Sequence, residues 1–503
     1  MTVGFWTLAS RVLGFTREIL ILGLIGPGPV LDAFVAAFRL PNMFRRFFAE
    51  GAFNSAFIPM FTKRLEGDDD HEKFASDALN LLSAAVLVLV AIAMIFMPLF
   101  VLATASGFSG DARFDITVDF GRIAFPYIFF MSLSALFSGI LNATGRFAVA
   151  AAAPVLLNVF AIGAMLIAYT VGGSAVHWLI WTIPVAGIVQ LALVWGAANK
   201  TGINLRPGLP RWTPEMKRMV QVAVPAALAT GVMQINLLVG QQVASQFDSA
   251  VGWLFAADRL YQLPLGVVGI AIGIVLLPDL SRRLRADDND GAKNALSRAG
   301  EMALLLTIPS AVALIVIPIP LVSVLYERGA TSHSDSIAIA WAVAIYGLGL
   351  PAFVLQKILQ PLYFSREDTR SPFRFALWAM VVNAVIAVGA IPLFGWLAPA
   401  VATTAAGWGM VLQLLRGRKS MGDAARFDQR YLDRTVKITL ASVFMGACLF
   451  GASILMESWL YAPTIRYFAL AALLLIAAVS YFGSGVLIGA FTRSDLRAAF
   501  KRS

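Results

Sequence analysis

Eight charged residues stand in the first fifty positions, in a segment otherwise built largely of Phe, Leu, Ile, Val, Ala and Gly. They are Arg11, Arg17, Glu18, Asp32, Arg39, Arg45, Arg46 and Glu50. A charge at the centre of a bilayer costs about 3 kcal/mol even on insertion scales, so an apolar helix keeps one only for a reason. Five cations against three anions leave a positive excess, and the chemistry this suits is the handling of an anion within the membrane. Guanidinium groups stay charged and grip phosphate oxygens two at a time, which an ammonium does not. Several arginines around one cavity would suit a diphosphate, with Asp32, Glu50 and Asp258 holding them while the site is empty.

Spacing refines the picture. Arg11 and Glu18 are seven apart and share a helical face, whereas Arg17 points about 120° away. Asp32, Arg39 and Arg46 also recur at seven, and Glu50 follows Arg46 by four. Pro41 interrupts this second helix and Gly51 loosens it. Further along, Asp258 precedes Arg259, and Lys357 lies alone in an apolar stretch. A structural reading stands beside the functional one: Arg46–Glu50 and Asp258–Arg259 as local ion pairs, the rest snorkelling to headgroups. For Arg11, Arg17 and Arg259 the functional reading is preferred, because neighbouring acids are too few to neutralise all three.

The elements that must position these residues are membrane helices. Mean hydropathy is +0.78, with 59% hydrophobic and 14% charged residues, a composition outside the soluble range. Long runs such as 78–110, 147–199 and 375–415 hold no Asp, Glu, Lys or Arg, and a spanning helix needs roughly 20 such residues. The two longest runs are each interrupted once, at Gly172-Gly173-Ser174 and at Pro392-Leu393-Phe394-Gly395-Trp396. With the charged helices near 5–26 and 31–61, about fourteen spans are expected. Such runs are too long for barrel strands, so the fold class expected is an all-α polytopic membrane protein.

The net charge of +10 does not indicate nucleic acid. Of 39 Lys and Arg, 28 fall in the tail and loops on the N-terminal side, and three (Arg113, Arg328 and Arg466) in the opposite loops. This positive-inside asymmetry places both termini in the cytoplasm, where the basic loops would also meet anionic phospholipids. No removable signal is read at the N-terminus. The lone Cys448 forms no internal disulfide, and His71, His177 and His333 lack metal-ligand spacing.

The chain also reads as internally repeated at an offset near 220. Ser10 through Leu40 lies on Thr230 through Leu260 without a gap, and Ile58-Pro59 falls near Leu277-Pro278. Residues 1–200 form an N-lobe of six spans and 212–418 a C-lobe of six. Residues 432–492 hold two extra spans and 493–503 a cytoplasmic tail. Arg39 and Arg259 are counterparts, whereas Arg17, Glu18 and Asp32 face Leu237, Leu238 and Gly252. The N-lobe is the chemically loaded half.

The strings Ser10-Arg11-Val12-Leu13-Gly14-Phe15-Thr16-Arg17-Glu18, Phe38-Arg39-Leu40-Pro41-Asn42-Met43-Phe44-Arg45-Arg46-Phe47-Phe48-Ala49-Glu50-Gly51 and Ala257-Asp258-Arg259-Leu260 closely resemble the MurJ (MviN) family. Phe364-Ser365-Arg366-Glu367-Asp368 does too, and the resemblance covers essentially the whole chain. The resemblance implies a flippase of lipid II, the undecaprenyl-diphosphate-linked peptidoglycan precursor, in the bacterial inner membrane. It implies two six-helix lobes around a central cavity, and a lipid-tail groove on the last two helices. It assigns Arg11, Arg17 and Arg259 to the diphosphate, and Asp32, Arg45, Arg46, Glu50 and Lys357 to other charged positions linked to transport. Where some relatives hold sodium, the matching positions here are Gly240 and Ala387, with Asn383 kept. A sodium site is therefore not expected; no cofactor or metal is, and membrane potential is the expected energy source. Other cell-wall synthesis proteins are candidate partners. The alternatives are an exporter of another polyprenyl-linked oligosaccharide, a multidrug exporter (for which the cavity has the wrong sign), an intramembrane enzyme acting on polyprenyl lipids, and a structural role.

Overall fold

The computed structural model describes residues 2–45, 53–67 and 70–491, and these contain helices and no strand. In chain order the helices are α1 (Thr2–Leu24), α2 (Pro29–Arg45), α3 (Phe53–Glu66), α4 (His71–Ile95), α5 (Met97–Thr104), α6 (Ala112–Ala124) and α7 (Tyr127–Ala143). Then come α8 (Phe147–Val171), α9 (Ala175–Asn199), α10 (Pro214–Ala244), α11 (Ala250–Arg285), α12 (Asn289–Val316), α13 (Pro318–Tyr326) and α14 (His333–Phe364). The last six are α15 (Arg370–Gly389), α16 (Ile391–Phe394), α17 (Ala398–Gly417), α18 (Gln429–Leu455), α19 (Glu457–Leu460) and α20 (Arg466–Leu487). Ten helices or near-continuous helical runs among the described residues are long and apolar enough to cross a membrane. The other four expected spans fall on α1, on α2 with α3, on α10 and on α11. The chain is an all-α polytopic membrane protein.

Local chemistry sets the boundaries. The Asp70 carboxylate accepts from Lys73 N–H at the start of α4, and Asp428 accepts from Tyr431 N–H at the start of α18. Ser332 and Asp335 form a reciprocal capping box on α14, the arrangement that satisfies two orphan donors at once. The glycine pair expected to turn the chain after the fifth span does so: Gly172 and Gly173 have φ of 92° and 102°, a region closed to most side chains. The second expected turn is built from α16 and a short 3₁₀ segment, Gly395–Leu397.

Two breaks lie where the hydropathy pattern shows none. The run 78–110 stops at Phe96 and restarts as α5 with Pro98 in its first turn, and 302–326 stops at Ile317 and restarts as α13 with Pro318. Proline is tolerated in a first helical turn because the donor it lacks would be unused there. Pro98 and Pro318 stand 220 positions apart, so the repeat extends to its helix breaks.

Two compact units divide the chain. The first is Met1–Gly252 with Arg328–Thr331, and the second is Trp253–Glu327 with Ser332–Ser503. The first reaches beyond the lobe boundary expected near residue 200 and takes in α10, whose Met216 and Met219 are buried in its core with Phe57, Phe61, Phe74 and Phe137. Its α1 is finished from far away in sequence. Ala330 N–H donates to the Gly23 carbonyl (2.9 Å), and the Thr331 hydroxyl donates to the Leu22 carbonyl (2.7 Å). These are last-turn acceptors that the helix itself leaves open.

Among the described residues the second unit holds two cores. One packs Leu276, Leu296, Ile358, Leu362, Met410 and Leu414; the other packs Ile438, Met445, Leu449, Leu473 and Tyr481 against Ile317 and Val324. A polar network ties α12 to α18. The nearly buried Glu301 carboxylate lies 2.5 Å from Arg298, 3.2 Å from Arg434 and 3.5 Å from Arg430.

Candidate functional site

In the first unit the charges of α1 separate into a paired and an unpaired cation. Arg17 Nη2 lies 2.5 Å from Glu18 Oε1, both side chains being largely buried. Helical phase set Arg11 and Glu18 on one face, yet the long Arg17 side chain closes on the adjacent carboxylate instead. Arg11 is exposed, with no carboxylate within ion-pair distance among the described residues. It lies six residues, or about 9 Å of helix rise, from Arg17. Its turn is held by α8: the Asn158 side-chain amide donates to the Ser10 carbonyl at 3.0 Å. Asn158 thereby positions the turn of α1 that carries Arg11.

Two further candidate cations of this unit lie on α2. Arg39 donates to the Leu237 carbonyl on α10 (3.3 Å), and Arg45 to the Asn42 side chain (3.4 Å). Arg46 and Glu50 lie outside the described residues.

Asp32 serves a different set of groups from the cavity arginines it was expected to hold. Its side chain is wholly buried, and its carboxylate accepts from Gly252 N–H at 2.7 Å and faces Arg113 Nη1 at 3.7 Å. Arg113 also meets Asp111 (2.6 Å) and Asp248 (3.2 Å), donates to the Phe247 carbonyl (3.4 Å) and lies 4.7 Å from the Phe108 ring centroid. Hydrogen bonds from Arg113 hold the Asp111 carboxyl below the usual carboxylate range. One guanidinium thus fastens three acids drawn from α2, the loop before α6 and the loop before α11. Sequence reading counted Arg113 only as a sparse loop cation. Its isolation among apolar spans and its spacing of two from Asp111 were the available signals.

Asp32 and Gly252 are also counterparts in the repeat. A Cβ on Gly252 would come within 3.2 Å of Asp32 Oδ1 and of Leu31. Equivalent positions of the repeat meet here, and a side chain at position 252 would press on the Asp32 carboxylate.

In the second unit Arg259 stacks over the Phe255 ring (4.9 Å to its centroid), and Asp258 accepts a hydrogen bond from Gln262 one turn on. Lys357 is exposed on α14. Between α18 and α20 runs an apolar groove of about 470 Å³, walled by Leu440, Ala441, Phe444, Val479, Gly483 and Leu487. No group of three or more His, Cys, Asp or Glu with metal-binding geometry occurs among the described residues. The chemistry on offer is ionic and apolar: guanidinium groups on membrane helices, and an apolar groove.

Comparison with known proteins agrees with this inventory. The sequence profile of the family described as "Lipid II flippase MurJ" matches residues 21–487. A probable lipid II flippase MurJ of Rhizobium tropici is 41% identical over 512 aligned positions, covering 100% of this chain and 96% of the relative. That of Rhizobium meliloti (strain 1021) is 42% identical over 515, covering 100% and 95%. Among solved structures, a lipid II flippase MurJ in an inward closed conformation superposes with a TM-score of 0.81 at 24% identity, over 96% of this chain and 98% of that one. An inward-facing multidrug resistance MATE transporter of the MOP superfamily reaches 0.69 at 14% identity, over 82% and 95%. These two likenesses speak to the fold. Together with the full-length relatives, the profile establishes that this chain belongs to the MurJ family of lipid II flippases.

Proposed function

We propose that this protein carries lipid II from the cytoplasmic to the outer leaflet of the bacterial inner membrane, with the diphosphate met by Arg11, Arg17 and Arg259. The observation that carries this reading is the family match over nearly the whole chain, with those arginines kept inside otherwise apolar helices. The protein acts as a transporter and leaves its substrate chemically unchanged. Moving two phosphate charges through hydrocarbon without counterions is prohibitive, and guanidinium pairing lowers that barrier. Glu18 gives Arg17 a competing partner. Alternating access then needs the arginines to favour phosphate in the inward state and carboxylates such as Glu18 in the outward one. Asp32, Arg39, Arg45, Arg46, Glu50, Asp258 and Lys357 complete the set of charges that bias the two states. Both termini lie in the cytoplasm in this reading, as the distribution of basic residues requires.

Membrane potential supplies the direction. With the cytoplasm negative, an anion moving outward gains about 2.3 kcal/mol per charge per 100 mV. Neither sodium nor a cofactor enters the cycle.

The reading is tested in proteoliposomes carrying lipid II and an inside-negative potential. Arg17→Ala and Arg259→Ala are each expected to slow translocation about tenfold or more, the value of one charged hydrogen bond. Collapsing the potential with an ionophore is expected to slow the native protein. Undiminished translocation by both variants would defeat the proposal.

A further inference from the structure

The chain passes between its two units three times, at Gly252–Trp253, at Glu327–Arg328 and at Thr331–Ser332. Domain boundaries usually fall in exposed linkers that few contacts cross. Here the two residues flanking each boundary are fastened, each within its own unit, and no linker lies between them. Gly252 N–H is held by Asp32 in the first unit. The next residue, Trp253, donates its indole N–H to Asp335 in the second unit (2.8 Å), and its ring lies 4.9 Å from that of Trp396. The Thr331 hydroxyl is held by the Leu22 carbonyl in the first unit. The next residue, Ser332, donates its N–H (3.0 Å) and its hydroxyl (2.5 Å) to the same Asp335. At the remaining boundary the Glu327 carboxylate accepts from Ser323 and lies 3.0 Å from His333 Nδ1, and its carbonyl accepts from Arg466 (2.9 Å). Arg328, one residue on, belongs to the first unit, where its Cγ lies 3.2 Å from where a Cβ on Gly23 would stand.

Asp335 thus serves two of the three boundaries with one carboxylate. Its Oδ2 takes Ser332, which is all that capping α14 requires. Its Oδ1 takes Trp253 from the first turn of α11, a bond that the cap does not explain. Hinge movement is absorbed by a few residues at loops or element ends. With both flanks fastened, the freedom that remains at these two boundaries lies in the backbone dihedrals at the links 252–253 and 331–332. In the orientation proposed above, α11 and α14 both begin on the outer side of the membrane, so movement about these links grows toward the cytoplasmic ends.

We propose that Asp335 is a positioning residue, the post of an outer-side pivot. It fixes Trp253 and Ser332, the second unit's ends of two boundaries, so that the units turn about two peptide links and not about loosened segments. This goes beyond the transport reading, which requires the units to move and leaves the point of movement open.

The test places nitroxide labels at Lys200→Cys in the first unit and Lys419→Cys in the second, in full-length protein carrying Cys448→Ala, in lipid nanodiscs without lipid II. Both lysines are exposed. Electron–electron double resonance then reads the distribution of distances between the labels. A loosened minor state of about 1% would rise about tenfold for each charged hydrogen bond lost. Trp253→Phe keeps the ring and loses one bond, so about a tenth of the molecules are expected to leave the native peak; Asp335→Ala loses bonds at both boundaries, and about half are expected to leave it. Glu301→Gln is the control, since its arginine partners all lie inside the second unit. It is expected to lower the thermal midpoint and leave the distances alone. An unchanged distribution in Asp335→Ala would overturn the proposal, and so would equal broadening by Glu301→Gln, which would make the effect general loosening. Should Asp335→Ala not fold, an unchanged distribution in Trp253→Phe overturns it equally. The distances need no cargo, so this result stands or falls apart from translocation by Arg17→Ala and Arg259→Ala.

Discussion

Arg113→Met is expected to destabilise the protein by about 3–5 kcal/mol, the usual cost of removing one partner from a buried ion pair. The loss comes from what stays behind. Asp32, with no exposed surface, would keep its bond from Gly252 N–H and lose the one cation within ion-pair distance among the described residues, while Asp111 and Asp248 would still face the same spot. Asp32→Asn keeps an acceptor for Gly252 N–H and removes the charge, so it is expected to cost only about 1 kcal/mol, one neutral hydrogen bond's worth. The double variant should then be more stable than Arg113→Met alone, because the stranded charge is gone. Thermal unfolding in detergent, followed by intrinsic fluorescence, orders the three. Strictly additive losses would show that Asp32 and Arg113 do not act together.

Gly329→Ala is the second large effect. Gly329 has φ of 56°, and a Cβ there would stand 2.1 Å from the Gly23 carbonyl oxygen. The left-handed conformation alone costs a non-glycine residue about 1–2 kcal/mol, and forcing the close-packed backbones apart adds about 1–3 kcal/mol. Gly145→Ala is the control: its φ is 76°, but nothing lies within 4 Å of its Cβ, so it should show the backbone term alone. A Gly329→Ala midpoint no lower than that of Gly145→Ala would remove the contact from the account.

These two sites mark where sequence reading stopped. The all-helical fold, ten of the about fourteen expected spans and the glycine turn at 172–173 follow from local hydropathy and backbone freedom, properties that each stretch of chain carries by itself. The arginines of α1 and α11 were legible for the same reason, as charges where water is absent. The partner of Asp32 was not, because Gly252 N–H is a backbone group 220 positions away and leaves no trace in side-chain chemistry. Alignment of the halves found a glycine opposite Asp32 and counted Asp32 as a charge without a counterpart. The structure gives the steric reason: the two positions touch. The breaks before α5 and α13 were missed because proline in an apolar run changes hydropathy little, although it fixes where a helix can begin. Arg17 closing on Glu18 was missed because helical phase describes Cβ directions and not where a flexible side chain ends.

The bonds from Ala330 and Thr331 to the end of α1 also bear on how the protein is made. Leu22 and Thr331 are 309 positions apart, and at typical rates of synthesis that distance takes a ribosome roughly 15–60 s to cover. For that interval the first helix sits in the membrane with last-turn carbonyls awaiting a segment not yet translated. A nascent chain released after Gly252 and before Arg328 would contain every residue of 1–252 and still present an unfinished first unit.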